Sequence, residues 1–352
     1  MRTWRMSPPI CSTRAVPDLS RPGEKIYVSR GHAAPRSSHS SLISPRRFPT
    51  RTTTTTRPNS HVCSAEATQV PTRLNTIPHP RETRYWFYNE VVSAVNAAVF
   101  DNPAEASAAA DPNLISVFCS IPELNPAYDV YRVGSLLECV REVSTSLSKR
   151  GKKVKVAVQQ SLGEGVFCGM PLALSGVKRL LLQMDWGEDT PVSIAEGLGR
   201  EEIDECDSYI LIAPQNLQGS SVLPYIQDMV EQATEEGKNG KRKDIILINA
   251  RLGDVMSSGG VMGVRGRQER LNFVDRFVPA YHFRLLYIGI AMYPIMGCLR
   301  YSCAEDRAYW QVYRRRDFKD ENNMPAESYD LLETFECQPD ASAITAAFQK
   351  KR

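Results

Sequence analysis

The sequence predicts an α/β protein: a mainly parallel sheet flanked by helices, with a C-terminal antiparallel extension. From Asn113 onward, short apolar runs rich in β-branched residues alternate with stretches whose apolar residues recur at helical spacing. After Tyr281 the hydrophobic period falls to two, with short turns between the runs. A break in composition near residue 65 leaves roughly 285 residues for this body, enough for one large domain.

Taken in order, Tyr85 to Phe100 places Tyr88, Val92, Val95 and Val99 on one helical face and closes at Asn102-Pro103. Asn113 to Ile121 reads as a buried strand entering the proline-broken loop Pro122 to Pro126. Tyr131 to Arg150 carries the stripe Val133, Leu137, Val140 and Leu147 and stops at Gly151, behind Lys149 and Arg150, which suit a helix C-terminus. Val154 to Gln159 is the next strand, followed by a helix bearing Leu174, Val177, Leu181 and Met184. The alternation continues with strand Tyr209 to Ala213, helix Val222 to Ala233, strand Ile245 to Ile248 and a charged helix Arg265 to Val278. Such an order implies right-handed βαβ units. Tyr281 to Tyr287, Gly297 to Cys303, Tyr309 to Arg314 and Tyr329 to Phe335 then form the extension, and Asp340 to Gln349 is a last helix.

The first 65 residues differ in kind. Met1 to Ala65 holds 10 Arg and 1 Lys against Asp18 and Glu24, about +9, so the whole-chain +3 leaves about −6 for the rest. Arg-, Ser- and Thr-rich and poor in acids, with the run Thr52 to Thr56, this stretch has the signature of an organelle transit peptide and is expected to be disordered. The weight of Ser, Thr and Pro favours a plastid over a mitochondrion, and removal is expected between about Pro58 and Thr72. Residues 66–84 read as a linker and 85–350 as the single domain, its antiparallel part beginning near 281.

Several function classes find no support. No apolar run reaches the ~18 residues needed to cross a bilayer. The seven cysteines after the leader, Cys119, Cys139, Cys168, Cys206, Cys298, Cys303 and Cys337, contain no C-x-x-C pair, which argues for reduced thiols rather than a zinc site; Cys298 with Cys303 is the one redox alternative. His282 stands alone on an alternating strand, and Asp204, Glu205 and Asp207 read as a solvated loop. The aromatic-basic stretch Tyr309 to Arg316 is read as a half-buried edge strand with Arg outward, because a net negative body argues against nucleic acid.

Ligands of open parallel sheets bind beyond the carboxyl ends of strands. Here those ends lead to Ser120 and Glu123, to Gln159 and Gln160, to Gln215 and Asn216, and to Asn249 and Arg251. Two glycine-rich turns precede helices, one with Gly163, Gly165 and Gly169, the other with Ser257, Ser258, Gly259 and Gly260. Glycines let backbone approach a ligand closely, and helix N-termini offer free N–H groups, so these residues with Asn249 and Arg251 form a candidate anion site. Neither turn matches the dinucleotide fingerprint or the P-loop, and no catalytic residue or cofactor can be named.

The stretches Gly165 to Gly187 (GVFCGMPLALSGVKRLLLQMDWG), Asp244 to Leu286 and Tyr309 to Arg315 resemble a plastid and cyanobacterial family known as the domain of unknown function DUF1995, over roughly Tyr85 to Phe348. Some relatives are described as helpers in photosystem II assembly, and the domain also occurs attached to a plastid adenylate kinase. The resemblance implies a chloroplast protein of the stroma or thylakoid periphery, with photosynthetic complex subunits or assembly intermediates as partners, and carries over no active site. Two expectations follow: a non-catalytic factor assisting assembly or maintenance of photosynthetic complexes, or an enzyme or sensor binding a phosphorylated small molecule or nucleotide at the carboxyl edge.

Overall fold

The computed structural model describes residues 70–75, 77–101, 111–124, 133–160, 176–187, 190–216, 221–237, 243–252, 267–287, 295–305 and 308–350. All belong to the compact unit Ala65–Arg352.

Helix α1 spans Arg81–Asn96 and ends in a π turn, Ala97–Asp101. It starts four residues before Tyr85 because extended Pro80 supplies the entry and its carbonyl accepts from the Arg84 N–H at 3.2 Å. Strand β1 (Asp111–Ser120) is followed by α2 (Val133–Lys149), β2 (Val154–Val158), α3 (Val177–Gln183) and a short strand β3 (Val192–Ile194). The chain continues through β4 (Ser208–Ile212), α4 (Leu223–Gly237), β5 (Asp244–Ile248) and α5 (Arg267–Val274). Strands β6 (Phe277–Tyr287), β7 (Ile295–Ser302), β8 (Trp310–Lys319) and β9 (Pro325–Phe335) precede α6 (Ala341–Lys350). The stop at Gly151 is a left-handed cap, φ 91°, whose N–H reaches the Ser148 carbonyl at 2.9 Å.

Among the described residues, nine strands form one sheet in the order β3-β2-β4-β5-β1-β6-β7-β8-β9. The first six are parallel neighbours and the last three pairings are antiparallel. The order dictates where the helices lie. Going from β1 to β2 and on to β3 the chain moves one way along the sheet, whereas β4 to β5 and β5 to β6 move the other way, so right-handed crossovers put α2 and α3 on one face and α4 and α5 on the opposite face. Burial agrees. Leu136, Val140, Leu147, Val177 and Leu181 share a core with Val154, Val156, Ile210, Ile212 and Ile246, while Val222, Ile226, Met229 and Phe273 share another with Tyr209, Leu211, Ile245 and Leu247. Strands β4 and β5 are buried on both faces, which is why their sequences are continuously apolar.

Two sequence expectations are corrected. The helix read from Arg265 to Val278 ends at Val274, because Val278 precedes Pro279 and is pushed toward extended backbone; Phe277 and Val278 open β6. Strand β6 pairs in parallel with β1 from Asp111↔Phe277 to Ser120↔Arg284 and antiparallel with β7 from Tyr281↔Ser302, so the antiparallel extension begins near 281 as the sequence predicts. Strand β8 is not an edge, since β9 covers it. Arg315 pairs with Glu327 at 2.9 Å and with Asp317 at 2.6 Å, Arg316 with Asp330, and Arg314 donates to the Phe348 carbonyl, so this basic run is largely neutralised. Strand β3, three residues long, was not expected at all.

The extension is covered on both faces. Phe87 of α1 meets Phe283 of β6 edge-on at 4.7 Å, whereas α6 lies on the opposite face, where a Cβ on Gly297 would come 3.1 Å from the Phe348 ring. That same Cβ would sit 1.9 Å from the Tyr313 carbonyl oxygen of β8, backbone that cannot give way without loss of the Gly297↔Arg314 pairing. Gly297→Ala is therefore expected to cost upward of about 1–3 kcal/mol, the range of overpacking, read as a fall in thermal midpoint.

Candidate functional site

Strand order puts a topological switch point at the carboxyl edge. Strands β2 and β4 are neighbours whose outgoing connections diverge, one toward β3 and the other toward β5, the position at which open parallel sheets take ligands. Gln159 and Gln160 follow β2, Gln215 and Asn216 follow β4, and Asn249 and Arg251 follow β5.

Most of these side chains hold backbone. Gln160 grips residue 198 at both ends, its Oε1 accepting from the Leu198 N–H at 2.7 Å and its Nε2 donating to the Leu198 carbonyl at 3.0 Å. Asn216 donates to the Leu252 carbonyl at 3.0 Å and accepts from the Val222 N–H at 3.0 Å, capping the entry to α4. Gln159, fully buried, accepts from the Gln215 N–H at 2.7 Å, and its Nε2 has no hydrogen-bond partner among the described residues. Arg251 is placed beside Gln215 by an isolated parallel bridge and its N–H donates to the Pro214 carbonyl at 2.8 Å.

Asn249 is the keystone of the β1–β5 end. It sits at φ 52°, a left-handed conformation that Asn tolerates better than most residues. Its N–H donates to the Val117 carbonyl at 2.8 Å, its Oδ1 accepts from the Cys119 N–H at 2.6 Å, and its Nδ2 donates to the Leu124 carbonyl at 2.6 Å. The loop after β1 is thus tied down on one side by Asn249 and on the other by Glu123, which meets His79. The Glu123 Oε1 accepts from the His79 N–H at 2.7 Å and Oε2 lies 2.6 Å from Nδ1. Burial pushes the Glu123 carboxyl up, but the His79 side-chain and backbone contacts outweigh it and hold the group below its usual 4.5.

Because the folded carboxyl is the stronger acid, its contribution to stability is present above about pH 4.5 and is lost as pH falls through the lower folded value. Urea titrations of wild type and Glu123→Gln should therefore differ at pH 6–7 and converge in acid. A difference that is independent of pH would assign the effect to packing alone.

At the opposite, amino edge of the sheet the charges also pair. Lys155 lies 3.0 Å from both Glu202 and Asp204, Lys152 lies 2.9 Å from Asp244, and buried Lys243 donates to the Cys206 carbonyl at 3.0 Å. Burial raises the Asp204 carboxyl, yet the Cys206 N–H and Lys155 outweigh it and bring it to about 2. Among the described residues, no group of three or more His, Cys, Asp or Glu could hold a metal ion. His282, flanked at 4.9 Å by Phe118 and at 4.9 Å by Trp310, is brought to about 3 by burial and then by Arg284, so it is neutral at ordinary pH. Cys298 and Cys303 are both free and buried; burial pushes the Cys303 thiol up to about 11 and Cys298 higher still, which disfavours the thiolates that exchange requires.

Of the sequence-predicted anion site, Asn249 and Arg251 lie at the carboxyl edge. Gly163, Gly165, Gly169, Ser257, Ser258, Gly259 and Gly260 lie outside the described residues. Sequence reasoning missed His79, placed in a presumed linker, and Arg300 of β7, which is buried among Glu90, Glu305 and Gln311. Neither carries a local signal: His79 lies in a polar stretch, Arg300 interrupts an apolar strand where a lone Arg reads as outward-facing, and their principal partners lie on other elements.

No solved structure matches the chain. One family model, described as "Domain of unknown function (DUF1995)", matches residues 81–346, from the first turn of α1 into α6 and across the whole nine-stranded sheet. The chain belongs to the DUF1995 family.

Proposed function

We propose that this is a non-catalytic plastid protein, stromal or peripheral to the thylakoid, that assists assembly or maintenance of photosynthetic complexes, photosystem II among them. One observation carries the non-catalytic part: Gln160, Asn216 and Asn249, three of the polar groups at the carboxyl edge, spend their hydrogen bonds on holding loops. The leader composition and the family resemblance support the location and the partner class.

Its sheet extension is the surface offered to a partner. The β8–β9 hairpin exposes Phe318 by 50% and Met324 by 60%, and Leu331 on β9 by 43%, beside the outer edge of β9, which no other strand covers among the described residues. Apolar side chains next to a sheet edge suit another protein chain. In the test, tagged wild type co-purifies with assembly intermediates of a photosynthetic complex, and a Phe318→Ser, Met324→Ser variant of unchanged thermal midpoint loses them. Equal recovery by both proteins would remove the hairpin from the reading, and recovery of no complex by wild type would remove the partner class.

The second reading, an enzyme or sensor for a phosphorylated small molecule, draws on Gln159. A buried amide donor left unpaired costs roughly 1–3 kcal/mol, which a ligand oxygen at the switch point would relieve. A rise in thermal midpoint with inorganic phosphate in wild type, absent in Gln159→Glu, would favour it.

A further inference from the structure

The family match begins at Arg81, yet the residues just before it are built into the fold. Val70 and Leu74 belong to the larger hydrophobic core, with Leu74 fully covered. His79 is 2% exposed and its ring is held from both sides, Nδ1 by Glu123 at 2.6 Å and Nε2 by the Leu74 carbonyl at 2.9 Å. A carbonyl only accepts, so Nε2 donates to Leu74, while Nδ1 and the backbone N–H both meet the Glu123 carboxyl. At a second point the Asn75 N–H donates to Glu327 of β9 at 3.0 Å. Residues 70–80 therefore strap the loop after β1 to the outer strand of the sheet.

The strap also reaches the carboxyl edge. Glu123 precedes Leu124, whose carbonyl accepts from Asn249, so loss of His79 frees one side of the loop that Asn249 holds from the other. It would take from the buried Glu123 carboxyl both of its His79 contacts, and it would release the Leu74 carbonyl that His79 holds beside the core.

We infer that maturation of this chain cuts N-terminal to Val70, within the window opened at Pro58, and that 70–80 stays in the mature protein as its first folded element. The step is hydrolysis of one peptide bond, water supplying the hydroxyl of the new carboxyl group and the hydrogen of the new amine. It rests on the plastid reading for the cut, while the strap itself can be judged without it.

Limited trypsin digestion of the full chain reads the strap, because Arg51 and Arg73 are sites on either side of Val70 and the bond after Arg57 is blocked by Pro58. The bond after Arg51 should be cut at least tenfold faster than the bond after Arg73, as followed by mass spectrometry. In a Leu74→Asp full chain the bond after Arg73 should become at least tenfold more labile; the wild-type ratio stands alone if that variant does not fold. Equal rates at the two bonds in wild type would overturn the strap. N-terminal sequencing of the protein from plastids should give a start at or before Val70, and a start between residues 71 and 81 would overturn the proposed cut. A chain still beginning at Met1 would overturn the cut and the organelle reading together, with the trypsin ratio unaffected.

Discussion

Arg300→Ala is expected to destabilise the protein by about 3–5 kcal/mol, the cost of breaking a buried ion pair by removing one partner. Arg300 is 1% exposed, and its guanidinium joins three elements: it pairs with Glu90 of α1, with Glu305 after β7, and with Gln311 of β8, whose Oε1 accepts from Nη1 at 2.8 Å. Burial works against the charge, but Glu90 foremost, with Tyr281 and Glu305, outweighs it, so the group stays charged. Alanine would take the cation from Glu90, leave Glu305 to its contact with the Gln311 amide, and remove the ion pair that ties α1 to β7. Lysine should recover only part of the loss, since one ammonium cannot present separate nitrogens to Glu90 and Gln311. Urea unfolding at neutral pH measures both variants. An Arg300→Ala midpoint within error of wild type would mean that the network contributes no net stability.

Asn249→Ala is the second large effect. It strands the Cys119 N–H and the Leu124 carbonyl, each at about 1–3 kcal/mol if no water replaces the amide, and it places alanine in a left-handed conformation at a further cost of roughly 1–2 kcal/mol. Asn249→Gly separates the two contributions, because glycine accepts φ 52° freely but makes neither side-chain bond. The alanine variant should be the weaker of the two, and in both the Cys119 amide should exchange faster with solvent. Unchanged exchange at Cys119 would show that the loop after β1 is held by His79 and Glu123 alone.

These two residues also show where the sequence was readable and where it was not. Ile210 to Ile212 and Ile245 to Ile248 announce themselves as strands because a strand buried on both faces can only be apolar, and Gly151 marks its helix end because only glycine adopts φ 91° freely. Local pattern sufficed for these. Arg300 and His79 were opaque for the converse reason: a buried polar or charged side chain is tolerable only through partners such as Glu90, 210 positions away, or Glu123, 44 positions away, and no local pattern encodes those pairings. Strand β3 escaped notice because three half-exposed residues bear no periodicity, and β8 passed for an edge because Leu331 and the acids of β9 look like surface. At the carboxyl edge the sequence placed Asn249 and Arg251 correctly in order, but not the use of Asn249 as a backbone clamp, which depends on the parallel pairing of β1 with β5.

As proposed, the protein serves photosynthetic complexes without catalysing a reaction. Loss of the gene, followed by quantitative separation of thylakoid complexes and profiling of soluble phosphorylated metabolites, distinguishes that role from an enzyme's. The expected result is a lowered amount of one photosynthetic complex, photosystem II foremost, restored by wild type and not by the Phe318→Ser, Met324→Ser variant, with no metabolite accumulating. Unchanged complexes beside accumulation of a phosphorylated metabolite would contradict it and leave the switch point at Gln159 as the working site.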